Sequence, residues 1–246
     1  MISATLLLAS CAKDGSKNSL KKMCLRGKVK TLEQTETRLT RKREVGSADD
    51  SLLGKSSYEF NNRGNISVEY TWQANNNLQK CVYLFNDAGK PVKALKYNSD
   101  SSLCYKATLI YDEAGNISEQ RQYDARDSLN LRLQYKYDKA GNVIQEDSYW
   151  ASGKLLHKYV YKYNAAGNDT AYIFYRDDSS IIMHAEYLYN DSGYRKEEHR
   201  YSEDDTEGWI IRYNYDKYDK QGNWLERTTY EKEKPVSVTR RIISYY

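Results

Sequence analysis

Apolar and polar residues alternate along most of the chain. Residues 131–137 place Leu or Tyr at every odd position, with Arg132, Gln134 and Lys136 between them. A period of two predicts a β-strand with one packed face and one solvated face. Similar segments recur between short stretches of Gly, Asn, Asp and Ser, which predict tight turns. The pattern therefore indicates a series of antiparallel hairpins.

A register of seven glycines divides the chain into repeats. The spacing is close to 26 residues, and the glycines are Gly64, Gly89, Gly115, Gly141, Gly167, Gly193 and Gly222. Each has an aromatic residue four positions before it, Asn or Asp three before it, and an aromatic residue eight after it. Self-similarity at a fixed period is typical of a repeat architecture.

The turn at each glycine has a physical explanation. An Asn or Asp side chain caps the turn backbone, and a glycine three residues later supplies the left-handed conformation that closes a type I turn with a bulge. Residues 137–142, Tyr-Asp-Lys-Ala-Gly-Asn, are thus predicted to form a hairpin tip in which Tyr137 faces Val143. Extra residues at 216–219 predict a bulge or longer loop before Gly222.

Seven hairpins predict an all-β fold of about 14 or more strands. We expect a repeat domain over residues 28–246 that forms one extended, twisted or rolled sheet, with flanking strands near 28–39 and 236–246 capping its ends. At roughly 4.8 Å per strand such a sheet is about 65 Å wide, and sheets this wide curl or split. A rolled sheet would leave a wet interior. Cross-strand tyrosine pairs, each contributing about 0.2–1 kcal/mol, would stabilise it.

Unbroken alternation assigns the charged residues to two faces. The face that carries the tyrosines is predicted to include Lys93, Glu119, Arg121, Asp147, Glu197, His199 and Glu226. The other face is predicted to carry Lys136, Lys162, Glu146, Glu198 and Arg227. Because lipid would require an apolar band on that second face, the pattern argues against a membrane-spanning barrel.

The first eleven residues are typical of an export signal. Residues 1–10 are mostly apolar but too short to span a bilayer, and Cys11 follows them directly. Leu-Ala-Ser-Cys at 8–11 resembles the bacterial lipobox, which implies cleavage before Cys11 and lipidation of its thiol. No basic residue precedes the apolar stretch, which predicts a true start upstream of Met1. Acyl chains on Cys11, at about 0.8 kcal/mol per buried methylene, would anchor the chain to a membrane.

The repeats themselves resemble a known family. Tyr-Asp-Glu-Ala-Gly-Asn at Tyr111, Tyr-Asp-Lys-Ala-Gly-Asn at Tyr137 and Tyr-Asp-Lys-Gln-Gly-Asn at Tyr218 are similar to the YD repeat of rearrangement-hot-spot (Rhs) proteins. The resemblance covers roughly residues 55–230. In large members such repeats coil into a sheet that encloses a toxin. With few copies, this chain is more similar to the short YD-repeat lipoproteins of bacterial envelopes.

Charge is concentrated near the N-terminus. Residues 12–47 hold 11 Lys or Arg against 4 Asp or Glu, whereas the rest of the chain holds 27 against 30. Residues 12–27 are therefore predicted to be a basic linker. Nucleic-acid binding needs a basic face on the folded part, so we expect no nucleic-acid partner. A mean hydropathy of −0.89 and the absence of a long apolar run exclude a transmembrane helix.

The remaining cysteines do not indicate a disulfide framework or a metal site. With Cys11 set aside, Cys24, Cys81 and Cys104 are an odd number, and no Cys-x-x-Cys occurs. Cys81 and Cys104 lie on the first strands of consecutive repeats, about 9.6 Å apart by strand spacing. A disulfide needs Cα atoms within roughly 7 Å, so we expect no bond between these two.

No catalytic motif is evident. His157, His184 and His199 occupy unrelated repeat offsets, and His157 and His184 are predicted on opposite faces. The acidic turns at Asp177-Asp178 and Asp204-Asp205 could offer oxygen ligands to calcium, but their spacing matches no defined loop. We expect no metal, no cofactor and no enzymatic activity. Recurring tyrosines are expected to hold the sheet together, whereas residues that deviate from the register could form a contact surface. These candidates are Trp150, Trp209 and Trp224.

The sequence favours a non-enzymatic lipoprotein of the bacterial outer membrane. Its membrane contact would be the lipid anchor on Cys11, and its repeat sheet would bind a polysaccharide or an envelope protein or act as a scaffold. One alternative is an envelope hydrolase whose site is built across strands, which would require a deep pocket with a perturbed His or carboxylate pair. Another is an accessory of a toxin system.

Overall fold

A computed structural model describes residues 18–39, 52–72, 77–203 and 205–246. The described residues form one short helix, α1 (Ser19–Lys22), and sixteen strands. The strands are β1 (Val29–Arg38), β2 (Leu52–Phe60), β3 (Ile66–Trp72), β4 (Leu78–Phe85), β5 (Pro91–Tyr97), β6 (Leu103–Tyr111), β7 (Ile117–Asp124), β8 (Leu129–Tyr137), β9 (Val143–Trp150), β10 (Leu155–Tyr163), β11 (Asp169–Arg176), β12 (Ile181–Tyr189), β13 (Arg195–Ser202), β14 (Asp205–Tyr218), β15 (Trp224–Glu231) and β16 (Lys234–Tyr245).

The strands form a closed antiparallel barrel. Each strand pairs with its sequence neighbours, as the hairpin repeat predicts, and β1 pairs with both β2 and β16. The prediction of one extended, twisted or rolled sheet is therefore confirmed only in part, because the sheet closes into a barrel. The flanking strands pair with each other, from Val29 opposite Tyr245 to Arg38 opposite Ser237, and do not cap two free ends. Closure satisfies the backbone groups that two sheet edges would leave unpaired.

The seven glycine turns confirm the predicted turn chemistry. All seven glycines have a φ between +75° and +82°. Each glycine N–H donates to the carbonyl of the Asn or Asp three residues earlier. The side chain of that same residue accepts a hydrogen bond from the backbone N–H that follows the glycine, as Asp138 does from Asn142 at 2.8 Å. We call the barrel rim that holds these seven turns the glycine end. The more polar turns lie at the opposite rim, the polar end.

A β-bulge follows every glycine turn. Tyr137 faces Val143, as predicted, but the next pair is Lys136 with Gln145, so Ile144 is an extra residue on β9. The same skip occurs in all seven repeats, at Ser67, Val92, Ser118, Ile144, Thr170, Lys196 and Leu225. The pairing of β14 with β15 also shifts register on both sides of Lys217, which confirms the bulge predicted before Gly222.

The bulges overturn the predicted assignment of faces on the second strands. One extra residue reverses the side on which all later side chains of a strand point. Glu146 lies opposite Tyr135 and Tyr159, so it shares the inner face with the tyrosines, as do Glu198 and Arg227. The residues predicted on the tyrosine face lie instead on the outer surface: Lys93, Glu119, Arg121, Asp147, Glu197, His199 and Glu226. Lys136 and Lys162, on first strands, lie outside as predicted.

An apolar cluster lies at the glycine end, beside the pairing of β1 with β16. Leu20 and Leu25 of the N-terminal segment pack with Val29, Leu32, Tyr58 and Phe60. Leu20 N–H donates to the Gly64 carbonyl at 3.0 Å. Arg26 N–H donates to the Asn223 side chain at 2.7 Å. Residues 18–27, part of the predicted basic linker, thus lie against two glycine turns. The predicted signal and Cys11 lie outside the described residues.

The fold also bears on the predictions made for the cysteines and for a transmembrane helix. Cys81 on β4 and Cys104 on β6 are separated by β5 and are both free thiols, which confirms that they do not pair with each other. In the part of the chain that the structure describes, no helix combines the length and apolarity needed to cross a bilayer.

Candidate functional site in the barrel interior

The interior of the barrel is lined by aromatic side chains. One row consists of Tyr58, Tyr83, Tyr135, Tyr161, Tyr187 and Tyr213. The first five lie two positions before the aromatic residue of the glycine register, and Tyr213 lies five before Tyr218. Closer to the polar end, Tyr159 stacks on Phe174 with ring centroids 4.5 Å apart. Most of these inward residues are partly exposed. Barrels of sixteen strands enclose more space than side chains can fill, so the interior, with its polar and aromatic walls, is the candidate ligand chamber.

A second row of tyrosines ties each repeat to the one before it. The hydroxyls of Tyr111, Tyr137, Tyr163, Tyr189 and Tyr215 each donate to a backbone carbonyl 20 residues earlier, at 2.5–2.8 Å. The acceptors are the residues two positions after the preceding glycine, beside its bulge. Burial raises the pKa of Tyr111 to about 12, so its hydroxyl keeps its proton near neutral pH. These tyrosines serve the fold.

A charge-balanced cluster lies on the inner wall of β11 and β13. Arg195 lies 3.0 Å from Asp169 and 3.8 Å from Glu198, measured between guanidinium nitrogens and carboxylate oxygens. Arg200 Nε lies 2.6 Å from the other oxygen of Glu198. Burial raises the pKa of Asp169, although Arg195 opposes the shift. Two cations meet two carboxylates here, so the cluster leaves no net charge.

Two arginines form a separate cluster on β15 and β16, nearer the glycine end than the charge-balanced cluster. The Arg241 guanidinium lies 3.4 Å from the centre of the Trp224 ring, and that of Arg227 lies 5.3 Å from it. Arg227 pairs with Thr239, two residues from Arg241, so the two arginines are diagonal neighbours on the inner face. Burial, with the charge of Arg227 as the next cause, lowers the pKa of Arg241 to about 9. Arg241 therefore remains charged at pH 7.

An isolated carboxyl group lies on the inner face of β9. Glu146 is 5% exposed and lies opposite Tyr135 and Tyr159 on the two neighbouring strands. Among the described residues it has neither a hydrogen bond nor an ion pair. Burial, followed by repulsion from Asp147, raises its pKa to about 7. Glu146 therefore titrates near neutral pH.

The interior also brings a serine next to a histidine. Ser148 and His157 are direct cross-strand partners on the inner face, and Glu146 is two residues from Ser148. A nucleophile needs a base within about 2.6–3.2 Å. His157 instead makes edge contacts with Tyr159 and Phe174, each at 5.4 Å between ring centroids, and burial lowers its pKa. No hydrogen bond joins Ser148 to His157 in the described set, so this geometry does not constitute a catalytic pair.

The other two histidines lie outside. His184 stacks on Tyr201 with ring centroids 4.4 Å apart, and His199 lies 2.5 Å from Glu197 between Nε2 and Oε1. His157 and His184 therefore lie on opposite faces, as predicted. Asp177 pairs with Lys154, and the Asp178 side chain accepts from Ser180 N–H. Asp204 and the side chain of Asp205 lie outside the description. Within the described chain, no cluster of three His, Cys, Asp or Glu side chains is placed to hold a metal ion.

The three candidate tryptophans are not brought together. Trp150 ends β9 at the polar end and is 46% exposed, and Trp209 lies near the same rim on β14. Trp224 begins β15 at the glycine end and is 4% exposed. Of the three, Trp224 is the one that lines the arginine cluster. The sequence did not single out Arg241, and it assigned Arg227 to the wrong face because the bulge at Leu225 reverses the alternation on β15.

Comparison with solved structures supports the fold. A porin-like protein from Bacteroides uniformis superposes with a TM-score of 0.56 at 9% identity, covering 88% of this chain and 98% of that one. A porin-like protein from Bacteroides vulgatus gives a TM-score of 0.40 at 12% identity, covering 86% and 97%. The Photorhabdus luminescens Tc holotoxin pore gives 0.24 at 12% identity, covering 78% of this chain and 12% of that one. The last two scores are too low to support a shared fold.

Sequence comparisons give no family. No protein-family model and no curated protein matches the chain. The similarity to the Bacteroides uniformis protein therefore identifies a closed β-barrel architecture and nothing finer.

Proposed function

We propose that the chain is a non-enzymatic, lipid-anchored protein of the bacterial outer membrane whose barrel interior binds a ligand. The observation that carries this proposal is a closed sixteen-strand barrel whose inner face carries partly exposed tyrosines and charged groups. A barrel with only a structural role would gain stability from a packed apolar interior. The YD-like repeat would then serve to build the chamber wall, with Cys11 as the attachment point.

The outer surface is compatible with an anchored barrel in water. Charged side chains lie outside on successive strands, including the pairs Arg121–Glu119 at 2.5 Å and Arg212–Glu197 at 2.6 Å. A barrel that crosses lipid needs an apolar outer band. A lipid on Cys11 would attach such a barrel to the membrane without inserting its wall.

The chamber wall favours a ligand with sugar rings. Tyrosine offers a flat apolar face with a polar edge, which suits a polysaccharide, and the same aromatic surface could accept a strand of an envelope protein. Tyr159 lies inside beside Phe174, and no hydrogen bond to its hydroxyl is found among the described residues. It is therefore more available to a ligand than the tyrosines that bind backbone carbonyls.

Lipidation is tested by metabolic labelling of the full chain with radioactive palmitate. We expect label in the wild type and in Cys104→Ser, a matched control, and none in Cys11→Ser. Fractionation should place the labelled protein with outer membranes. Equal label in Cys11→Ser, or wild-type protein recovered without lipid, would refute the anchor.

Ligand binding is tested on a glycan array with the purified full chain. Replacement of Tyr159 by Ala should weaken binding to any glycan that the wild type retains by about 10-fold, since an aromatic contact contributes roughly 0.5–1.5 kcal/mol beyond its area. Tyr175→Ala, on the outer face of β11, is the control. Equal affinity of both variants would contradict a site in the chamber.

The hydrolase alternative has a direct test at Ser148. Incubation with a fluorophosphonate probe should leave Ser148 unlabelled, because His157 is not placed to activate it. Labelling that is lost in both Ser148→Ala and His157→Ala would favour the hydrolase and overturn the non-enzymatic proposal.

A further inference from the structure

Two buried polar atoms lack hydrogen-bond partners, and both lie on the inner face of β15. They are Arg227 Nε and Thr229 Oγ1, and the described chain has no other such side-chain atom. The two residues are separated by one position, so their side chains point to the same side. A buried donor without a partner costs about 1–3 kcal/mol. Two such atoms side by side make this part of the wall a candidate place for a hydrogen-bonding ligand.

The cations at this place also lack carboxylate partners. Within the described residues, neither Arg227 nor Arg241 has an acidic oxygen within 4.0 Å. Arg227 donates to Thr239 Oγ1 at 3.2 Å and Arg241 Nε donates to Gln34 at 3.0 Å. Glu36, the inward carboxylate of β1, accepts from Ser237 at 2.7 Å.

The arginines of the charge-balanced cluster on β11 and β13 differ from Arg227 and Arg241 because they have carboxylate partners. There, Asp169 and Glu198 neutralise the two arginines, whereas Arg227 and Arg241 repel each other across Trp224. Repulsion between two partly buried cations destabilises the fold unless an anion offsets it. Both arginine residues still keep part of their surface accessible. A guanidinium presents a planar fork that matches the oxygens of carboxylates and phosphates.

We propose that Arg227 and Arg241 form a binding site for an oxyanion, with Trp224 as its floor and Thr229 as a further polar contact. The inference rests on the proposed function of the barrel interior as a ligand chamber, and it identifies the charged group of that ligand. The site binds an anionic carboxylate, sulfate or phosphate. Such a group could belong to an acidic sugar unit of a polysaccharide or to a free inorganic ion.

Calorimetric titration of the purified full chain tests the site. The probes are glucuronate, sulfate and inorganic phosphate, each added at constant ionic strength, with neutral glucose as a reference. We expect saturable binding of at least one anion and weaker binding of glucose. Tighter binding of a glucuronate oligosaccharide than of either inorganic ion would assign the oxyanion to an acidic glycan. The reverse order would assign it to a free ion.

Four variants separate this site from general surface charge. Arg227→Gln and Arg241→Gln should each weaken binding by about 10-fold to 100-fold, the loss expected for a charged hydrogen bond. The anion affinity of Arg241→Lys should lie between those of Arg241→Gln and the wild type, because lysine keeps the positive charge but lacks the planar guanidinium fork. Arg212→Gln, which removes an outer arginine, should bind as the wild type does. Removal of one cation relieves repulsion, so Arg241→Gln should also melt at a higher temperature than wild type in anion-free buffer.

Two results would overturn the site. One is the absence of saturable anion binding by the wild type at concentrations up to about 10 mM. The other is equal anion affinity of the wild type, Arg227→Gln and Arg241→Gln. Failure of the site is distinguishable from failure of the proposed function. A chain that binds a neutral glycan through Tyr159 but no anion would keep the chamber and lose the arginine site. A chain that binds nothing in either experiment would lose both.

Discussion

The hydroxyl of Tyr163 donates a hydrogen bond to the carbonyl oxygen of Val143 at 2.8 Å. Val143 is the first residue of β9 after the glycine turn, and the bulge at Ile144 follows it directly. A bulge interrupts the regular ladder, and the tyrosine hydroxyl of the next repeat provides a donor for the carbonyl beside it. The recurring tyrosine is therefore explained by a hydrogen bond between repeats.

Replacement of Tyr163 by Phe tests this role. It should lower the free energy of unfolding by about 1 kcal/mol, because the ring stays while the carbonyl loses its donor. Tyr175→Phe is the matched control, since no hydrogen bond to its hydroxyl is found among the described residues. Urea unfolding followed by circular dichroism measures both variants. Equal stability of the two would show that the hydroxyl has no structural role.

The glycine register is tested by a pair of alanine variants. Gly193 has φ +82° and Gly54 does not have a positive φ, and an added Cβ would have open space at both positions. Gly193→Ala should therefore cost about 1 kcal/mol of stability from backbone strain alone. Gly54→Ala should change stability by less than about 0.5 kcal/mol. Thermal denaturation of the two proteins gives the comparison, and a loss at Gly54 as large as that at Gly193 would contradict it.

Glu146 makes stability depend on pH. Its pKa is raised in the folded chain to about 7, from an ordinary 4.5. As pH rises, the unfolded chain loses this proton before the folded chain does. The free energy of unfolding therefore falls by up to about 3 kcal/mol between pH 4.5 and pH 7, and it is constant above that range.

Glu146→Gln should remove that part of the pH dependence and raise stability at pH 8 more than at pH 5. The exposed outer residue Glu186 provides the control Glu186→Gln. Urea titrations at both pH values give the free energies. A stability difference between Glu146→Gln and wild type that is the same at pH 5 and pH 8 would refute the assigned cause.

The Cys81 thiol should react slowly. Burial is the main cause that raises its pKa to about 11, and the thiolate is the reactive form. Alkylation of Cys81 by iodoacetamide at pH 8, followed by peptide mass spectrometry, should be about 100-fold slower in the native chain than in urea, which reflects the smaller thiolate fraction. Similar rates in both conditions would place Cys81 at an accessible position.

The turns could be predicted from sequence because each is decided within five residues. Asp138 caps a turn whose glycine is three positions away, and both contacts form inside that segment. The count of hairpins and the antiparallel order of strands follow from repetition of such units. Nothing distant in the chain is needed for either conclusion.

The two faces of the second strands could not be assigned by alternation alone. Both sides of β9 carry polar residues, Glu146 inside and Asp147 outside, so hydrophobicity does not reveal the extra residue at Ile144. The arginine site was missed for the same reason, since the inward position of Arg227 depends on the bulge at Leu225.

Barrel closure was also beyond the local pattern. It depends on pairing between β1 and β16, where Thr31 lies opposite Ser244, more than 200 residues away in sequence. The strand count and the curvature added by repeated bulges decide whether the two ends meet. The sequence indicates that a wide sheet must curl, but not that its edges join.

An engineered disulfide tests this closure most directly. Thr31 Oγ1 and Ser244 Oγ are 2.6 Å apart across the pairing of β1 with β16. The variant Thr31→Cys with Ser244→Cys, in a background of Cys81→Ser and Cys104→Ser, should form an intramolecular bond on mild oxidation, identified by non-reducing peptide mapping. The control is Thr31→Cys with Ser118→Cys. Ser118 lies on β7, which is six strands away from β1 in the sheet, so this pair should not crosslink within one chain. Absence of the 31–244 bond in folded, oxidised monomer would mean that the sheet is open, and the ligand chamber would be lost with it.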